Sequence, residues 1–349
     1  MNTTPFLYRL FWNILGIIKP NSQRGMFEWG IQKHIFADET KIYENLRTEL
    51  LGGDLTSPIG VASDLGVDES TIDLLIQHGA GFGTLGGYTF RENADHYRSL
   101  YYVNEKKKGV VKDDFRKKSI DTIGKKLSQR RHLPHFVGIS LLSFNEDDVK
   151  IGNGEEVPGY LNELELITQK VAPYADFLVI DVSQPNVPLY HLLSDESSMI
   201  PLIQNSRQTA EIAAPISTPK ILLKVPYDIS ALEVKSISQI ALKTGVDAII
   251  VAGFATVEKH KEWIKNCGLE ALSPTAFIAG KPLKSDLINL VRSFRKRTNG
   301  LIPLIASGAV LSGQDAFDLL AAGASAVEAD CVFFTDGPCA IHQMNADLS

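Results

Sequence analysis

Lys224, Asp181, Asp64 and Asp330 are the residues of this chain whose types most invite chemistry, and each stands at or just beyond the end of a short apolar run. Ser140, Ser307, Gly86, Gly253 and Gly308 hold the equivalent places in the other runs. A lysine beside a carboxylate serves as acid, base or amine nucleophile. The other reading of Lys224 with Asp181 is an ion pair that fills interior space. Clustered aspartates also suit a hard divalent cation. Asp64, Asp181 and Asp330 come from the first, fourth and eighth runs, however, a spread poor for one ion, so no metal is expected. Cys331 has no histidine beside it in sequence, which makes its thiol a weak nucleophile candidate. His191 reads as a solvated loop residue.

Those positions need elements to hold them. The apolar runs are Ile59–Ala62, Phe82–Leu85, Phe136–Leu141, Phe177–Asp181, Ile221–Val225, Ala248–Val251, Leu304–Ala306 and Ala326–Ala329. Helical patterns separate most of them, at Ser70–His78, Tyr160–Val171, Ser198–Ala213, Ser230–Thr244, Lys284–Arg297 and Gly313–Ala322. Strands that do not alternate in polarity, with helices between them, form a parallel sheet covered on both faces. Eight such units point to a closed (β/α)8 barrel, an α/β fold, in which ligands sit at the C-terminal ends of the strands. The segments "HGAGFGTL", "TGVDAIIVAG" and "AGASAVEAD" each end a helix at a glycine and launch a strand, which supports the repeat.

The chain of 349 residues, 44% hydrophobic and 22% charged, is long enough to bury one such barrel. A net charge of −6 argues against nucleic acid as a partner. Cys267, Cys331 and Cys339 form no CxxC pair and read as reduced thiols. Near the start, Phe6, Leu10, Ile14 and Ile18 recur at i+4 beside Leu7, Phe11 and Leu15, an amphipathic helix stopped by Pro20. It is too short to span a bilayer and lacks a cleavage signal. Either residues 5–18 lie in a membrane surface or the helix packs on the barrel or on a second subunit. The cation-rich segment Lys106–Arg131 is either a solvated face or a second contact to anionic lipid. The reading divides the chain into a helical appendage, residues 1–45, and a barrel domain, residues 46–349.

In order along the chain, "TSPIGVAS", "HGAGFGTLG", "ADFLVIDVSQPNVP", "KILLKVPYDIS", "DAIIVAG", "AGKPLK" and "IPLIASGAVLSGQDAFDLLAAGAS" resemble the landmarks of the quinone-linked dihydroorotate dehydrogenases. The resemblance implies FMN as cofactor, oxidation of dihydroorotate to orotate in pyrimidine synthesis, a quinone acceptor, and a peripheral place on the cytoplasmic side of the inner membrane. It also implies a substrate contact at Asn186 and cofactor contacts at Ala62, Gly86, Ser140, Lys224, Gly280, Gly308, Asp330 and Cys331. Departures accompany it. The family's catalytic base aligns with Gln184, an amide that takes no proton near neutral pH. Its flavin-contacting lysine after the first strand aligns with Val67, and its "TNT" after the sixth with Ala252, Gly253 and Phe254. A substrate-binding asparagine aligns with Asp181, and the tyrosine and threonine near the phosphate align with Asp330 and Cys331. These losses imply that the family's reaction is weak or absent here. The other two readings are a barrel kept as a scaffold and an enzyme rebuilt around Lys224 and Asp181.

Overall fold

The computed structural model describes residues 42–65, 69–90, 100–103, 109–112, 118–120, 127, 136–145, 149–150, 156–184, 188–252, 255–256, 260–265, 277–337 and 339–349. The amphipathic segment 5–18, the helical stretch 26–36, Val67, Asn186, Gly253, Phe254, Cys267 and most of the basic stretch 106–131 lie outside those residues.

Eight parallel strands close into a barrel: β1 (Ile59–Val61), β2 (Gly83–Thr89), β3 (Val137–Leu141), β4 (Phe177–Asp181), β5 (Lys220–Val225), β6 (Ala248–Ala252), β7 (Leu304–Ser307) and β8 (Ala326–Ala329). Each strand pairs with its neighbours in sequence, and β8 returns to β1 through Val327 opposite Ile59 and Ala329 opposite Val61. The outer helices include α1 (Glu69–Gln77), α2 (Gly159–Val171), α3 (Glu196–Ala213), α4 (Ala231–Thr244), α5 (Lys284–Arg297), α6 (Gly313–Ala321) and α7 (Ala340–Leu348). Local signals set their ends. Ser230 and Glu233 form a reciprocal capping box at the start of α4, and Gly245 closes it at φ 63°, a left-handed geometry that glycine adopts without penalty.

The alternation of side chains along each strand sorts the barrel into two cores. Ile59, Ile139, Leu178, Ile180, Leu223, Ile249, Val251 and Val327 face the helices. Phe82, Phe177, Val179, Leu222, Ala248, Ile250, Ile305 and Ala326 face the barrel interior. A hairpin of Thr48–Leu50 and Gly53–Leu55 adds Leu50 and Leu55 to this inner cluster. The rings of Phe82 and Phe177 meet edge to face at 6.3 Å. They fill space that Gly60 and Gly138 leave open, since a Cβ at either glycine would fall inside one of the two rings. An antiparallel sheet of Leu100–Val103, Gly109–Lys112, Ala255–Thr256 and Phe277–Gly280 stands apart from the barrel strands. Its members were not among the expected strands.

Candidate functional site at the barrel mouth

On five of the strands the inward face turns polar two residues beyond its last apolar side chain. Asp181 follows Val179, Lys224 follows Leu222, Ser307 follows Ile305, Glu328 follows Ala326 and Thr84 follows Phe82. The barrel interior is therefore an apolar floor carrying a polar layer toward the C-terminal ends of the strands. Asp181 and Lys224 are register partners on β4 and β5, as are Ser307 and Glu328 on β7 and β8. All are buried, with Lys224 and Asp181 each 1% exposed.

Lys224 organises this layer. Its ammonium donates to the carboxylate of Asp64 in the closest contact of the cluster, and to Ser63 Oγ at 3.3 Å. Asp181 Oδ2 lies 3.5 Å away. The expected ion pair of Lys224 with its strand neighbour Asp181 is present, and the structure adds Asp64 as the nearer partner. The long lysine stem carries the charge across the interior to the end of β1, which strand adjacency does not reveal. Burial by itself would depress the ammonium, but the carboxylates of Asp181, Asp64 and Glu328 outweigh it and hold Lys224 well above a free lysine.

The acids are held as firmly. Asp181 Oδ1 accepts from the amide and the hydroxyl of Ser183, at 2.9 and 2.6 Å, and Ser140 Oγ donates to Oδ2 at 3.4 Å. Thr84 Oγ1 donates to Glu328 Oε1 at 2.6 Å. Burial pushes the Glu328 carboxyl up to about 7, against the opposing pull of Lys224, Thr84 and Ser307. Glu328, Thr84, Ser63 and Ser183 were not singled out from sequence. The signal for Glu328 was there, since it is the one charge inside the run Ala326–Ala329 and shares an inward face with Ala326.

The remaining expected site residues are placed as follows. Ala62 is buried, and its amide donates to Ala329 O at 3.1 Å. Gly86 has φ 131° and lies so near Ser140 that a Cβ would sit 2.6 Å from the Ser140 carbonyl oxygen. Gly280, at φ 96°, precedes the turn Lys281–Leu283. Gly308, at φ 84°, donates its amide to Glu328 O, and Ala309 follows at φ 55°. The Asp330 carboxylate accepts from the Cys331 amide and caps the short helix Cys331–Thr335, and Cys331 is itself buried. His191 closes the helix Pro188–Leu192, exposed at the surface. Gln184 is 3% exposed at the end of β4, and its Oε1 has no hydrogen-bond partner among the described residues. No group of three His, Cys, Asp or Glu side chains able to hold a metal occurs among the described residues.

This frame defines a (β/α)8 protein with its polar centre at the C-terminal mouth, where proteins of that architecture place their sites. A profile of the dihydroorotate dehydrogenase family matches residues 45–349, and the chain belongs to that family. It is similar to the mitochondrial dihydroorotate dehydrogenase (quinone) of Lachancea kluyveri, 27% identical over 96% of this chain and 80% of that protein. The dihydroorotate dehydrogenase (quinone) of Rhodospirillum rubrum is 25% identical over 98% of this chain and 89% of its own length. The crystal structure of the Eimeria tenella protein in complex with ferulenol superimposes with a TM-score of 0.81 at 21% identity, covering 94% of this chain and 90% of that one. The protein is thus dihydroorotate dehydrogenase-like in fold and family.

The family uses FMN, and several described side chains depart from the set that the resemblance gives to the flavin site. The Lys224 ammonium donates to Asp64 and Ser63 and lies 3.5 Å from Asp181, so it is engaged inside the cluster. Near the position that the resemblance gives to the phosphate, the Asp330 carboxylate already occupies a backbone donor. The left-handed turn at Gly308 and Ala309 keeps a phosphate-compatible backbone.

Proposed function

We propose that this dihydroorotate dehydrogenase-like barrel has lost most or all of the family's FMN-dependent oxidation of dihydroorotate. The observation that carries the reading is the closed ion cluster of Lys224, Asp64 and Asp181, beside an amide, Gln184, at the position of the family's base. An amide cannot accept the substrate proton, and loss of a general base alone costs about 10²–10⁴ in rate. The two aspartates around Lys224 outnumber its single positive charge, which disfavours an orotate-like anion, so binding suffers together with chemistry. Several losses in one site compound.

The visible absorption spectrum of the purified chain, before and after excess FMN, tests this. The expected result is no bound flavin and no reduction of added flavin or quinone by dihydroorotate. A flavin spectrum bleached by dihydroorotate would overturn the proposal.

We further place residues 1–45 as an appendage to the barrel of residues 46–349, a boundary supported by the start of the family match at residue 45. We propose a membrane-surface role for residues 5–18, on the cytoplasmic side of the inner membrane, with which the quinone named for the relatives is compatible. Among the described residues no helix is long and apolar enough to cross a membrane. Liposome flotation that ignores both deletion of residues 1–20 and added salt would remove that role.

A further inference from the structure

We infer that the barrel mouth takes a small uncharged or cationic molecule that brings N–H donors, in place of the anionic pyrimidine carboxylate that the family oxidises. The inference rests on the reading that the standard reaction is lost, and it names what the altered site accepts.

The balance of donors and acceptors carries it. Gln184 Oε1 is a buried acceptor without a partner among the described residues, at the end of the strand that also carries Asp181. A buried polar atom left in that state is costly and calls for a donor. The ammonium of Lys224 has three N–H bonds, and three acceptors, Asp64, Ser63 and Asp181, surround it. An incoming carboxylate therefore competes with acceptors already placed around Lys224. It also meets Asp181 and Asp64, and Glu328 whenever that group is ionised. An N–H group meets the reverse situation, a buried acceptor without a partner among the described residues, three positions beyond Asp181. Discrimination against an anion then comes from repulsion as much as from the new contact.

The test uses the full chain and three probes, uracil, orotate and guanidinium, with affinities measured by calorimetry or saturation-transfer NMR. Uracil and orotate share a ring and differ in the carboxylate, so their ratio reads the charge preference directly. Uracil is expected to bind at least about tenfold more tightly than orotate. Gln184→Leu, which removes the acceptor at similar size, should weaken uracil about tenfold. Gln184→Glu keeps an acceptor and adds charge, so guanidinium should bind it more tightly than the parent. That variant keeps the inference testable if Gln184→Leu does not fold. Orotate binding as well as uracil overturns the inference. So does failure of both uracil and guanidinium to bind at millimolar concentration, or indifference of guanidinium to Gln184→Glu. Flavin bleaching reports turnover and this ratio reports ligand charge. A protein that prefers orotate but bleaches nothing sinks only the present inference.

Discussion

At the scale of single residues, the stability of the mouth hangs on Lys224. Its replacement by methionine leaves Asp64, Asp181 and Glu328 buried together without a cation. Removing one partner of a buried pair costs about 3–5 kcal/mol, so Lys224→Met should lower the stability of the barrel by that amount in denaturant titration. Adding Asp64→Asn should recover part of the loss, because the two sites share one interaction. Glu328 makes a separate prediction. Its carboxyl rises from an ordinary 4.5 to about 7 in the folded chain, so the folded state binds the proton more strongly than the unfolded one. The stability it contributes is complete below about pH 4.5 and is lost as pH rises through about 7, a difference on the order of 3 kcal/mol. Glu328→Gln should therefore flatten the stability profile across this window and leave the protein more stable than its parent at pH 8. At Ala309, held at φ 55°, a glycine should relieve about 1 kcal/mol of backbone strain.

Elements transmit these demands. The Glu163 carboxylate on α2 accepts from the amides of Phe90 at 3.1 Å and Phe144 at 3.3 Å and from the Ser143 hydroxyl, so one side chain ties down the chain leaving both β2 and β3. Glu163→Ala should cost about 2 kcal/mol and speed amide exchange of Phe90 and Phe144 in particular, readable by mass spectrometry. The strands were legible because burial on both faces writes them as unbroken apolar runs, and Phe177–Asp181 and Ala326–Ala329 coincide with their expected limits. The helix Lys284–Arg297 was equally plain from its period. The antiparallel pairs Leu100–Val103 with Gly109–Lys112 and Ala255–Thr256 with Phe277–Gly280 were not, since strands of two to four residues carry too few side chains to set a period. The site was half legible. Strand ends revealed Asp64, Asp181 and Lys224, but the contact from Lys224 to Asp64 spans 160 positions and runs through the barrel interior. Only the closed geometry brings those two together.

For the whole molecule, the proposed loss of the flavin reaction predicts a barrel whose stability does not depend on FMN. A flavoprotein whose native state binds FMN gains about 2.7 kcal/mol at a hundredfold excess over Kd. The melting temperature of this chain is expected to stay unchanged when FMN is added, and a rise of several degrees would show that the flavin still finds a home. The closure of the barrel has a further consequence, one that concerns how the protein is made. Asn345 on α7 donates to Gly79 O and accepts from Ser57 Oγ, both at 2.7 Å, and β8 zips onto β1 beside it. The partners Ser57 and Asn345 lie 288 residues apart. On the ribosome, β1 emerges early and must wait for nearly the whole remaining chain before its seam is sealed. Until then its apolar edge is exposed to whatever else is nearby. Synthesis of this barrel is therefore a long stretch of vulnerability that ends only when Asn345 arrives.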